Sequence, residues 1–216
     1  MERVPDLTGS LVVAVKFTYR QIVLLVLLSI AFWLGVALLV PAGAAVIALF
    51  ETIRVVPEEH RSDVSLLKEY VRSVGRNLVP GLALSVPLVV PPIATLLYLE
   101  LALTETSGYL LVAGLLSAYV TLVAFFLVFR TANVRSLEKR ETRAAFRRAL
   151  DVSRDHPHFT VLHVCLIVAA ASLTIVLPPF VVLLFPGFVA VLEIVFYEEA
   201  SHAEESPVRR YLRTIR

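Results

Sequence analysis

YLLVAGLLSAYVTLVAFFLVF, residues 109–129, decides the fold: 21 residues pass without a charge before Arg130 interrupts. A helix rises about 1.5 Å per residue and the hydrocarbon core of a bilayer is ~30 Å thick, so this run is long enough to cross one. In lipid it must be helical, because a lone strand would leave its backbone groups unpaired. Working outward, runs at 22–40, 78–98, 159–177 and 179–197 meet the same criterion, with lengths of 19, 21, 19 and 19 residues. The first two carry no charge, the third holds His163 and the last is broken only by Glu193. Composition agrees: 58% of the 216 residues are hydrophobic, 18% are charged, and mean hydropathy is +0.81. Soluble domains hold about 45–50% apolar and about 25% charged residues. An ordinary soluble enzyme, a disordered tail and a nucleic-acid-binding module are excluded. The one cysteine, Cys165, excludes a disulfide framework and a cysteine-based zinc site.

A further apolar stretch, AGAAVIALF at 42–50, follows Pro41. Proline removes an amide donor and clashes with the preceding turn, which predicts a break there. A helix over 42–56 would be ~22 Å long, too short to cross comfortably, and is expected as a tilted or re-entrant leg or an interfacial segment.

The 20 lysines and arginines orient the spans. Three fall in 1–21, five in 51–77, none in 99–108, eight in 130–158 and four in the tail. Basic loops stay cytoplasmic, which places 51–77, 130–158 and the C-terminus inside and 99–108, with Glu100 and Glu105, outside. One crossing in 22–50 would put Arg3, Lys16 and Arg20 outside, a distribution of 17 to 3; a hairpin would put all 20 inside and is the preferred reading. A cleaved leader ending at Ala42–Gly43–Ala44 is the third alternative. Its 19-residue apolar core and its Glu2 and Asp6 argue against it.

Two cytoplasmic segments have amphipathic helical spacing. In 62–77, Ser62 is an expected N-cap, and Val64, Leu67, Val71 and Val74, flanked by Leu66 and Tyr70, form the apolar stripe. In 136–152, Leu137, Ala145, Phe146, Ala149 and Leu150 oppose an arginine-filled face suited to anionic lipid or an acidic partner. Each segment leads through a short polar break, Arg76–Asn77 or DHPH at 155–158, into a helical hairpin. Units 62–129 and 136–197 thus share one plan in the same orientation, a parallel repeat. With 22–56 before them and the tail 198–216 after, they make a single membrane domain over 1–216.

Three stretches carry a resemblance: FWLGVALLVPAGAAVIALFETIR at 32–54, LLKEYVRSVGRNLVPG at 66–81, and RAAFRRALDVSRDHPHFTVL at 143–162. Together, over residues 20–200, they resemble the YesL-like group of integral membrane proteins. The resemblance implies an accessory role in carbohydrate uptake and transfers no catalytic residue.

Ionisable groups inside lipid cost about 2.5–3.5 kcal/mol at mid-helix and are default functional candidates. His163 and Glu193 each lie ~6–8 Å inside the same inner boundary, on helices joined at Pro178–Pro179. They can meet as a proton- or ligand-binding pair, or as a polar contact that fixes packing. Pro80, Pro87, Pro91 and Pro92 should distort the 78–98 span, releasing carbonyls that could line a path. Gly114 and Ala118 form a small-residue packing face on 109–129. His60, His156, His158 and His202 lie in different loops without metal-site spacing, and the acidic pairs Glu58–Glu59, Glu198–Glu199 and Glu204–Glu205 read as exposed and solvated. No HExxH, GxSxG, Walker or dinucleotide pattern occurs, so neither enzyme nor cofactor is expected.

The sequence therefore predicts an all-α polytopic protein of the cell membrane. It has five transmembrane helices, a short sixth or re-entrant segment, two amphipathic cytoplasmic helices and a cytoplasmic C-terminus. Membrane lipid and transporter subunits are the expected partners, and nucleic acid is not. A transport accessory is the first functional expectation; a permease, alone or as the membrane subunit of an ATP-driven transporter, is the alternative.

Overall fold

The computed structural model describes residues 6–39, 41–56 and 62–201. His60, His202, Glu58–Glu59, Glu204–Glu205, Arg3 and the tail beyond Ser201 lie outside them. The described residues are helical throughout, with no strand among them. In chain order the helices are α1 (Leu7–Arg20), α2 (Ile22–Ala37), α3 (Ala42–Val55), α4 (Asp63–Arg76), α5 (Leu78–Glu105), α6 (Gly108–Glu138), α7 (Thr142–Asp155), α8 (Pro157–Val176), α9 (Pro178–Leu183) and α10 (Phe185–Ala200). Helices α5 and α6 are each long and apolar enough to cross a membrane. Two bent pairs pass the same test together, α1–α2 with an 88° bend and α7–α8 with a 106° bend. A helical membrane protein follows from these lengths and compositions.

The segment expected as a partial or interfacial leg is the centre of the molecule. Helix α3 packs against α2, α4, α5, α6 and α10, and every residue from Ala42 to Phe50 is buried. Small side chains make this possible. A Cβ on Gly43 would overlap the Gly81 carbonyl oxygen of α5, and one on Gly81 would overlap the Ala44 backbone. Pro41 cannot cap α3 with a side chain. Ser85 of α5 supplies that role across the contact, its hydroxyl accepting from the Gly43 amide at 2.9 Å. Tyr70 of α4 seals the same region, donating to the Ala45 carbonyl at 3.5 Å, and burial pushes its phenol well above the usual range.

Several boundaries differ from the sequence expectation. Residues 7–20, to which the sequence reading assigned no element, form α1. Asp6 caps it by accepting from the Gly9 amide at 2.9 Å, and Ser10, Ala14 and Phe17 form its buried stripe against α10. The arginine-rich amphipathic helix begins at Thr142 rather than 136. Residues 136–138 still belong to α6, and Lys139, at φ 49°, ends that helix in the left-handed conformation. The last apolar run is not one helix, because α9 stops at Leu183 and α10 starts afresh at Phe185 with Pro186 in its first turn. On α4 the inward face is Leu66, Tyr70 and Ser73, while Val64 and Val71 point outward. The Ser62 side chain makes no capping bond there. The breaks at Asn77 and His156 stand where the polar residues indicated.

Helix α5 runs continuously through Pro87, Pro91 and Pro92. Hydroxyls gather at the Pro91 carbonyl and tie α5 to α6: Thr95 and Ser117 donate to it at 2.9 and 3.4 Å, and Thr95 also meets Thr121 at 3.0 Å. Gly114 is buried in this α5–α6 contact, where an added Cβ would come within 2.8 Å of Leu99 Cδ2; Ala118 beside it is half-buried.

Candidate functional site

His163 on α8 and Glu193 on α10 stand side by side, with Nδ1 and Oε2 3.4 Å apart. A third residue completes the group. Arg130, the first residue after the run that decided the fold, stays helical in α6 and turns inward. Its Nε donates to Glu193 Oε1 at 2.9 Å, and its Nη2 lies 3.4 Å from His163 Nδ1. Arg130, His163 and Glu193 are each 0% exposed.

Aromatic rings wall the group. The Arg130 guanidinium carbon sits 4.6 Å from the centroid of Phe126, one turn earlier on α6, a cation–π contact. The His163 ring meets Phe126 at 5.7 Å and Phe196 at 4.6 Å, and Phe159 stacks on Phe196 at 5.1 Å. In so dry an interior an unpaired charge would be costly, and each charge has a partner. Arg130 also donates through Nη1 to Ser153 of α7 at 2.8 Å, so four helices, α6, α7, α8 and α10, meet on one guanidinium.

His163 Nδ1 faces both Arg130 and Glu193, and one ring nitrogen cannot accept from the first while donating to the second. Glu193 Oε2 and His163 Nε2 have no other hydrogen-bond partner in the protein. A proton on Nδ1 serves the carboxylate but leaves the Arg130 Nη2 donor without an acceptor. A proton on Nε2 serves Arg130 but strands a buried ring donor and a carboxylate oxygen, so either neutral form leaves part of the group unsatisfied.

Polar contacts lead outward from this group. Asn133, one turn beyond Arg130, donates to the Glu193 carbonyl at 3.2 Å and accepts from Arg54 Nη2 of α3 at 2.6 Å. Arg54 also pairs with Glu198 of α10 at 2.5 Å and donates to Ser136 at 3.2 Å. Arg54 then borders a recess of about 690 Å³, whose other charged residues are Glu51, Glu69, Arg76, Arg135 and Lys139. Glu51 anchors the floor, accepting from Ser73 and, at 3.2 Å, from Asn77, the residue at the α4–α5 break.

The sequence reading had counted Arg130 and Asn133 as loop residues, Arg54 as a basic residue at the end of the short leg, and Glu198 as an exposed, solvated acid; Glu198 is instead buried against Arg54. One signal was present: Phe126, Arg130 and Asn133 share a helical face by their spacing of four and three. No protein-family model, curated protein or solved structure matches this chain.

Proposed function

We propose that this chain is a multi-pass protein of the cell membrane that acts as an accessory or assembly partner of a transport system. Carbohydrate uptake is the class its YesL-like resemblance implies. One observation carries the reading: Arg130, Glu193 and His163, fully buried, bind one another inside an aromatic wall. Such a group acts as a clamp between helices rather than as a stepping-stone for a solute, which needs a site it can enter and leave. Helices α5 and α6, with only 17% of their apolar windows buried, offer surface to lipid and to partner subunits.

In this reading α2, α5, α6, α8 and the broken α9–α10 segment are the five spans. Helix α3 is the short sixth segment, α4 and α7 lie on the cytoplasmic side, and the C-terminus is inside. The Asp6 amide donates to Glu199 at 2.9 Å, which brings the start of α1 to the C-terminal end of α10 and supports the hairpin arrangement of the N-terminus. The reading includes no catalysis.

Purification of the tagged chain from native membranes in mild detergent, followed by mass spectrometry, tests the proposal. Stoichiometric recovery of transporter subunits is the expected result, and recovery of the chain alone would overturn it. The permease reading draws on the recess at Arg54, which hydrogen bonds connect to the buried cluster. Substrate-dependent flux through liposomes holding this chain alone would favour it.

A further inference from the structure

An apolar groove of about 700 Å³ runs between α5, α6 and the start of α7, floored by Ala83, Pro87, Val123 and Leu127. A second, basic recess lies on α7, with Arg140, Arg143, Arg147 and Arg148 against Glu141 and Asp151. The two meet at Arg143, which lines both. Arg140 and Arg148 approach Glu138, at 2.5 and 3.8 Å. Arg143 and Arg147, one turn apart on the exposed face, have no carboxylate partner among the described residues. Thr131 adds an independent sign: it lines the groove, is 0% exposed, and its hydroxyl has no hydrogen-bond partner in the protein.

We propose that this groove holds one anionic phospholipid, its acyl chain along α5 and α6 and its phosphate on Arg143 and Arg147. The dimensions fit. Along α6 the groove runs from Tyr119 to Thr131, ~18 Å by helical rise, close to the ~15 Å of one leaflet's hydrocarbon. An apolar trough that ends at two unpaired arginines matches a molecule with a long apolar body and a single anionic head. This assignment does not depend on whether the chain serves a transporter.

The test uses the full chain, delipidated in detergent, with native mass spectrometry reading bound phosphatidylglycerol or phosphatidylcholine. The native protein should retain one phosphatidylglycerol at about thirtyfold lower concentration than phosphatidylcholine, the preference expected of two arginines near a headgroup. The double substitution Arg143→Gln, Arg147→Gln should abolish that preference. Arg154→Gln, on the same helix but outside the recess, should leave it intact. Val123→Trp, at an exposed position on the groove floor, should lower retention of both lipids without moving the melting temperature. Equal retention of the two lipids by the native chain would overturn the proposal. So would a preference that survives the double substitution, or one that soluble glycerol phosphate removes as effectively as the lipid, which would mark a plain anion site.

Discussion

Arg130 is the residue on which most of the interior depends. It binds Glu193, touches the His163 contact, lies over Phe126 and holds Ser153, on four helices. Substituting it with alanine leaves Glu193 buried without a counter-charge, a loss of about 3–5 kcal/mol. Arg130→Met with Glu193→Met should cost markedly less than Arg130→Ala alone, because both charges go and apolar volume stays. Thermal unfolding of the three proteins in one detergent checks the order; equal melting points for the single and double variants would dismiss the clamp. His163 and Glu193 stood out in the sequence because each is an isolated ionisable group in an apolar run. Arg130 did not, because it opens a loop region with eight basic residues that positive-inside statistics already explain. Only the fold distinguishes a loop arginine from one whose side chain turns back into the bundle.

At the scale of elements, glycine and backbone handedness determine how closely helices meet and where they stop. Gly43→Ala should destabilise by about 1–3 kcal/mol, since the new methyl overlaps the Gly81 carbonyl and a backbone cannot yield as a side chain can. Gly75→Ala is the control of opposite sign. Nothing lies within 4 Å of its added Cβ on α4, so a gain of up to about 1 kcal/mol is expected from helix propensity. Unfolding midpoints of both variants should move in opposite directions. Lys139 ends α6 at φ 49°, a conformation that costs a side chain about 1–2 kcal/mol. Lys139→Gly should raise the melting temperature, and a lowered one would show that the lysine side chain does more than end a helix. Helix periodicity revealed α4 and its break, but it carried the arginine-rich helix through Lys139, whose left-handed turn has no glycine to announce it. Pro186 was a legible boundary signal for the last run, outweighed there by hydrophobic length.

For the molecule as a whole, the proposed orientation makes a direct prediction. In a Cys165→Ser background, Ser107→Cys, between α5 and α6, should react with a membrane-impermeant maleimide added to intact cells. Gly75→Cys on α4 should react only after the membrane is opened. The reverse pattern would invert the topology. Composition and charge-free length sufficed for described residues that are helical throughout, with two helices, α5 and α6, long and apolar enough to cross a membrane. They could not place α3 at the centre, because an alanine-rich apolar stretch suits lipid and protein surroundings equally, and its burial depends on the helices around it. The cluster that α3 helps to support has a further consequence, for the order of events while the chain is being made. Glu193 lies 63 positions after Arg130. At a synthesis rate of about 5–20 residues per second, the arginine exists for about 3–13 s before the ribosome supplies its counter-charge. Throughout that interval the nascent α6 carries a cation it cannot neutralise on Glu193, and its guanidinium is best held at the headgroups. Arg130 can therefore settle inward on Glu193 only once α10 has been made, and a chain cut short before residue 193 lacks that counter-charge.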